Sequence, residues 1–236
     1  MATTANRLSR IAYDFLKVDI LRNYYCWLRY WLRKGKMRTL ETMTDGVGKY
    51  TIEHNMGALA GRAAFGMGNR MSILLYPLAA ALRDTEDPRV LIVGPRTEDD
   101  LFLAKSLGMR NVRGLDLFSY SEMIDIGDMH QTSYPSASFD AVVLGWVISY
   151  STAPQRLVEE CKRILKPGGY LAFGIESNAE FRRTRVFHPP RVNPLNSGAD
   201  IAEIVKLPIV FLHDPHLDRP TDNGVLFQFT AQGPQR

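Results

Sequence analysis

The sequence is poor in cysteine and in long apolar runs, and both shortages exclude classes of protein. Its 236 residues include two cysteines, too few for a disulfide framework or a four-cysteine zinc site. The opening MATTANRLSR leads into no signal-peptide core, and no stretch has the ~20 apolar residues that a membrane-spanning helix needs. With 45% hydrophobic and 23% charged residues, the composition is that of a globular protein. We therefore predict a cytoplasmic protein with a substantial core.

Positive charge is concentrated in the first 38 residues. They hold nine lysines and arginines against two acids, a local charge of +7, whereas the rest of the chain sums to −3. From residue 7 to about 34, apolar residues recur at helical spacing without Gly or Pro, which predicts one amphipathic helix. We expect it to pack on its own domain with Arg22, Arg29 and Lys36 facing solvent. Peripheral contact of residues 7–36 with an anionic membrane stays open, ahead of nucleic-acid binding.

The chain divides into two regions of different sequence pattern. We assign residues 1–84 to an N-terminal helical extension that caps a site or docks a partner. From residue 85 to 236, short apolar strands alternate with helices, and two further strands end the chain. This order is typical of an α/β fold with a doubly wound, mostly parallel, seven-stranded sheet. Ligands of such sheets bind beyond the carboxyl ends of the strands. The candidate loops are 94–99, 116–120, 128–130 and 144–150.

These loops, in this order, resemble those of the class I S-adenosylmethionine-dependent methyltransferases, especially the small-molecule branch. The resemblance runs from about Arg89 to Glu176. It is carried by GDMHQTSYPSASFDAVVLGWVISY at 127–150 and RILKPGG at 163–169. It implies a Rossmann-like fold, S-adenosyl-L-methionine as cofactor, and methyl transfer to O or N of a small molecule or glycan. Two alternatives stay open: a non-catalytic binding or scaffold protein of the same fold, and an RNA methyltransferase that uses the basic helix.

The resemblance also implies where the cofactor is held. Asp116, at the end of the second strand, matches the acid that accepts the ribose hydroxyls. Asp128 matches the acceptor of the adenine amine, and Met129 would pack on the ring. Both aspartates could instead only cap turns. The predicted cofactor-binding residues are Gly94, Pro95, Arg96, Thr97, Glu98, Asp116, Leu117, Asp128, Met129, His130, Gly145 and Trp146.

The first loop departs from the family pattern of acid-x-Gly-x-Gly-x-Gly. It reads Ile92-Val93-Gly94-Pro95-Arg96-Thr97-Glu98, so Ile92 replaces the acid, and Arg96 and Glu98 replace the later glycines. We expect Arg96 to pair with the carboxylate of the cofactor and Glu98 with its amino group, which would compensate for the lost glycines. The opposite interpretation is a filled loop that no longer binds the cofactor.

The stretch between Asp116 and Asp128 is also unusual. Only 12 positions separate the two residues, too few for a full helix and the next strand. We predict a turn in place of the helix. We also expect this turn to expose Phe118 and Tyr120 towards the adenine or the substrate.

No acid–base apparatus stands out in the sequence. Transfer from a sulfonium depends mainly on aligning the acceptor, and a general base is needed chiefly for hydroxyl acceptors. His130 and Tyr150 are the candidate catalytic residues, although His130 could instead only orient its loop. His213, Asp214, His216 and Asp218 are interpreted as a polar turn, and we predict no metal.

Overall fold

The computed structural model describes residues 13–41, 46–60, 69–177, 192–213 and 224–231. Asp214, His216 and Asp218 lie outside these ranges. Within them, no group of three or more His, Cys, Asp or Glu residues could hold a metal ion. None of the helices in these ranges is long and apolar enough to cross a membrane.

The N-terminal part of the chain is helical. A 3₁₀ turn at Phe15–Lys17 precedes α1 (Asp19–Arg33), followed by the short strand β1 (Arg38–Thr39), α2 (Gly46–Ala60) and α3 (Asn69–Ala81). The single helix predicted from residue 7 to 34 is interrupted, because Val18 has the extended backbone angles φ −82° and ψ 113°. Residues 39–70 are rich in Gly and Met and show no clear apolar period, yet they contain α2.

Alternating strands and helices follow, as the sequence predicts. They are β2 (Arg89–Val93), α4 (Asp99–Ser106), β3 (Asn111–Asp116), β4 (Phe118–Ser119), β5 (Ile124–Ile126), β6 (Phe139–Gly145), α5 (Pro154–Ile164), β7 (Leu165–Ser177), α6 (Gly198–Val205), β8 (Ile209–His213) and β9 (Gly224–Ala231). Seven of the described strands form one sheet in the order β5-β3-β2-β6-β7-β9-β8. The pairs are parallel except where β9 meets β7 and β8. The α/β prediction is confirmed.

The sheet is covered on both faces, which explains the continuous apolar runs of its central strands. Val90 and Ile92 of β2 pack in one core cluster with leucines of α3. Leu91 and Val93, on the other face, pack in a second cluster with leucine and valine of α5. The chain order changes direction between β2 and β6, and a ligand is expected at this crossover.

Helix α1 docks with its arginines inward. Arg22 is fully buried; its Nε donates to Asp99 Oδ1 at 2.9 Å, and its Nη2 donates to Asp19 Oδ1 at 2.7 Å. Arg29 donates to both carboxylate oxygens of Glu98, from Nε to Oε2 at 2.5 Å and from Nη2 to Oε1 at 2.7 Å. The expectation that Arg22 and Arg29 face solvent is therefore wrong. The reason is that buried carboxylates at the start of α4 supply the partners that buried guanidinium groups require.

The turn between β3 and β5 is covered by the same N-terminal segment. The predicted turn is present and contains β4, which pairs antiparallel with β1. Phe118 and Tyr120 are buried, and the Tyr120 ring packs edge-on against Tyr30 of α1 with the ring centroids 5.2 Å apart. The expectation that Phe118 and Tyr120 are exposed towards a ligand is wrong, because α1 and β1 occupy that side of the turn.

The buried pair of Arg22 and Asp99 yields a stability prediction. Arg22→Ala leaves the Asp99 carboxylate buried without its counter-ion, so we expect the free energy of unfolding to fall by about 3–5 kcal/mol. Urea denaturation measures the change. Lys17→Ala is the matched control, because it removes an exposed pair with Asp14 and should cost about 1 kcal/mol or less. Equal losses in the two variants would contradict the prediction.

Candidate active site

A cavity of about 320 Å³ lies beyond the carboxyl ends of β2, β3 and β6. This is the crossover point of the sheet, where doubly wound folds bind their ligands. The strand ends contribute Val93, Leu115 and Gly145 to its lining, and helices of the N-terminal segment contribute Asn55 and Met71. Its volume is at the lower end of the range for small-molecule sites.

The structure brings most of the sequence-predicted site residues to this cavity. Eleven of the twelve predicted cofactor-binding residues line it, and so does Tyr150. The exception is Glu98, which is fully buried beside the cavity. Its carboxylate is held by Arg29 and accepts a bond from the Ser121 hydroxyl at 2.5 Å. The expected contact of Glu98 with the amino group of the cofactor is therefore wrong.

The first loop keeps a glycine-like backbone despite its altered sequence. Gly94 has φ +69°, and a Cβ there would lie 2.2 Å from Val147 Cγ1, so this position requires glycine. Arg96 has φ +52°, a left-handed conformation that glycine adopts freely and other residues adopt at a cost. The loop therefore keeps the shape of a glycine loop and adds a guanidinium to the cavity lining.

Asp116 ties this loop to the end of β3. Its Oδ2 accepts from the Arg96 N–H at 3.0 Å, and its Oδ1 accepts from the Leu117 N–H at 2.7 Å. Burial raises the pKa of Asp116 to about 6, while these N–H groups act in the opposite direction. A buried, cavity-lining carboxylate at this strand end fits the donor hydroxyls of a ribose. The residues present therefore fit the cofactor that the resemblance implies.

His130 is held on both sides of its ring. Asp128 Oδ1 accepts from the His130 backbone N–H at 2.8 Å and lies 2.6 Å from Nδ1. Nε2 lies 2.6 Å from the hydroxyl oxygen of the fully buried Ser151. This geometry orients the loop and the Asp128 carboxylate. To act as a base, His130 would first have to exchange Ser151 for the acceptor.

Several lining residues escaped sequence reasoning. Gly48, Thr51 and Asn55 line the cavity from α2, whose sequence shows no apolar period that could have located it. Asp100 of α4 also lines the cavity, next to Asp99 of the candidate loop 94–99. Burial, and after it the Asp99 carboxylate, raises the pKa of Asp100. The only available signal for Asp100 was its position directly after that loop.

Comparisons with known proteins agree with the fold. Residues 103–173 match a family model described as a methyltransferase domain. A chain from the complex of the Haloferax volcanii Trm112 methyltransferase activator with a putative methyltransferase is similar, with a TM-score of 0.56 and 17% identity. The match covers 78% of this chain and 98% of that chain.

Two further solved structures share the fold. The Burkholderia thailandensis 1,6-didemethyltoxoflavin-N1-methyltransferase, solved with 1,6-didemethyltoxoflavin and S-adenosylhomocysteine, has a TM-score of 0.55 at 12% identity. That match covers 84% of this chain and 95% of that one. The [4+2]-cyclase SpnF has a TM-score of 0.52 at 15% identity over 68% and 80% of the two chains. No curated protein matches the chain in sequence. Because a cyclase is among the similar structures, the fold alone does not define the reaction.

Asp116 yields a prediction on the pH dependence of cofactor binding. Ribose hydroxyls bind the ionised carboxylate, so S-adenosylhomocysteine affinity should be constant above neutral pH. It should fall below pH 6, where the free protein holds a proton on Asp116. Asp116→Asn should bind about 1.5–3 kcal/mol more weakly at neutral pH and lose this dependence. Calorimetric titration at several pH values measures both. An unchanged dissociation constant in the folded variant would remove Asp116 from the site.

Arg96 yields a second prediction, from two substitutions that remove the same guanidinium. If it binds the carboxylate of the cofactor, Arg96→Ala and Arg96→Gly should both lose S-adenosylhomocysteine affinity. Glycine adopts the positive φ of this position without strain, whereas alanine does not. The free energy of unfolding of Arg96→Gly should therefore be about 1 kcal/mol higher than that of Arg96→Ala. Calorimetry and urea denaturation give the two quantities. Equal or tighter binding in both variants would show that Arg96 only fills space.

Proposed function

We propose that this chain, which carries a methyltransferase domain of the class I S-adenosylmethionine-dependent type, methylates an oxygen or nitrogen atom of a small molecule or glycan. The observation that carries the proposal is the cavity at the sheet crossover, which combines a glycine-like first loop with the buried carboxylate of Asp116. Both features suit one ligand that has a ribose next to an amino-acid tail.

The chain has a residue suited to each part of the cofactor, which supplies a methyl group on a sulfonium. The Asp116 carboxylate accepts hydrogen bonds from the ribose hydroxyls. Gly94 lets the ligand approach the backbone closely. Asp128 accepts from the adenine amine, and Met129 packs on the ring. Arg96 occupies the position of a glycine in the family pattern, and its guanidinium pairs with the terminal carboxylate.

The acceptor is proposed to be small because the cavity is small and is lined from several sides. The strand ends, α2, α3 and the loop before α5 all contribute to the lining of its 320 Å³. A duplex nucleic acid or a folded protein would require an open surface. Thr51 and the buried Asn55 of α2 offer a hydroxyl and an amide that could orient an acceptor.

Catalysis in this proposal depends mainly on placing the acceptor in line with the methyl group. A neutral amine needs no base before transfer, whereas a hydroxyl does. Tyr150 lines the cavity and is the candidate for contact with the acceptor. His130, held between Asp128 and Ser151, acts as a positioning residue.

The arginine in the first loop supports a second candidate, a protein of this fold that binds a ligand without transferring a methyl group. Arg96 occupies a position where a glycine is expected. If its side chain excludes the cofactor tail, S-adenosylhomocysteine should give no saturable heat in a calorimetric titration. The methyltransferase proposal expects saturable binding with one site per chain.

Transfer itself is tested with S-adenosylmethionine labelled in its methyl group. We expect label to appear in one or more members of a panel of phenols, amines and short glycans. Asp116→Ala should abolish most of this transfer. Asp84→Ala, which removes an exposed acid outside the cavity lining, should leave it unchanged. Saturable cofactor binding without transfer would favour the binding protein. Label in RNA with a steep salt dependence would favour an RNA methyltransferase.

A further inference from the structure

Helix α1 presents an apolar face to solvent. Ile20 is 79% exposed, Leu32 66% and Tyr24 64%; Ile20 and Tyr24 lie on the side of the helix opposite Arg22, and Leu32 lies on the adjoining flank. Spacings of one, three and four residues place these side chains on one stripe. We call this stripe the outer face of α1; its members are Ile20, Leu21, Tyr24, Leu28, Trp31 and Leu32.

This face cannot turn inward at low cost. The opposite side of the helix is fixed by the bonds of Arg22 to Asp99 and of Arg29 to Glu98. Rotation of the helix would leave two carboxylates and two guanidinium groups of the interior without partners. The helix therefore keeps its most apolar side in water, and a contiguous apolar patch on a protein surface marks an interaction site.

The charges beside the outer face indicate what it contacts. Three exposed basic residues follow at its C-terminal end, namely Lys34, Lys36 and Arg38, whereas Arg33 lies on the Arg22 side of the helix. The Lys34 ammonium lies 5.7 Å from the centre of the Trp31 ring. Tryptophan and tyrosine beside aliphatic residues and lysine or arginine are typical of helices that lie among anionic lipid headgroups.

We propose that the outer face of α1 lies in the headgroup region of an anionic membrane, with the basic residues at its C-terminal end against the phosphates. A second copy of the chain would be a less suitable partner for this face, because the surface that contacts its basic residues should be acidic. The two acids of the described N-terminal segment up to Arg38, Asp14 and Asp19, are already bonded to Lys17 and Arg22. An anionic membrane offers both an apolar acyl-chain region for the outer face and negatively charged headgroups for the basic residues.

Vesicle binding by the full chain tests the proposal without cofactor or methyl acceptor, so its result is independent of the proposed reaction. We expect the chain to sediment with phosphatidylcholine vesicles that contain roughly 30% phosphatidylglycerol, at least about tenfold more tightly than with phosphatidylcholine alone. High salt should release it. On binding, the fluorescence of the chain should shift to shorter wavelength, and Trp31→Phe should remove most of this shift. No binding, or equal binding to both vesicles, would overturn the proposal.

Substitutions locate the contact. Ile20→Glu with Leu32→Glu should lose vesicle binding and keep the melting temperature of the parent chain, because both side chains are exposed. Val210→Glu is the matched control: Val210 is 54% exposed on β8, at the end of the sheet opposite β5, and this variant should bind as the parent does. Lys34→Glu with Lys36→Glu should weaken binding to anionic vesicles at least about tenfold.

Two further outcomes would overturn the assignment of the outer face of α1 to a lipid surface. The first is unchanged vesicle binding of the Ile20→Glu and Leu32→Glu double variant. The second is a concentration-dependent dimer of the parent chain that the same double variant abolishes, together with no vesicle binding. That result would assign the outer face of α1 to a second copy of the chain. Analytical ultracentrifugation provides this measurement.

Discussion

The bonds of Arg22 and Arg29 to Asp99 and Glu98 join the N-terminal helix to the start of α4, and other features of the molecule depend on them. Buried charges of this kind are tolerated only when each has its partner in place. They fix the rotation of α1 about its axis, which sets which residues face solvent. They also fix the side of the β3–β5 turn that α1 covers, where Tyr120 packs against Tyr30.

The same bonds determine what the first loop contributes to the cavity. Glu98 is drawn towards α1, so of the two residues that replace the family's later glycines only Arg96 lines the cavity. The backbone at Arg96 nevertheless takes the left-handed conformation of a glycine, and its N–H donates to Asp116. What the site requires at this position is a conformation and an N–H direction. A residue other than glycine satisfies both at a conformational cost.

The sequence predicted the sheet well because each central strand is a continuous apolar run bounded by Gly or a polar turn. The order of the strand ends also predicted that Gly94, Asp116 and Asp128 lie at one edge of the sheet, and all three line the cavity. The orientation of α1 was mispredicted because an amphipathic pattern is usually oriented with its arginines in water. The partners of Arg22 and Arg29 lie 77 and 69 positions away, and no local pattern shows them. The contribution of α2 to the cavity lining was missed because the sequence of that segment shows no apolar periodicity.

The boundary drawn at residue 84 separates two patterns of sequence, yet residues from both sides of it contribute to one site. Asn55 and Met71 line the cavity from the first side, and Asp116 and Asp128 line it from the second. Asp99 bonds to Arg22 and also lines the cavity, so the charge that orients α1 is adjacent to the ligand space. Helix α1, the Arg22–Asp99 pair and the start of α4 therefore form one continuous set of contacts that reaches the cavity lining.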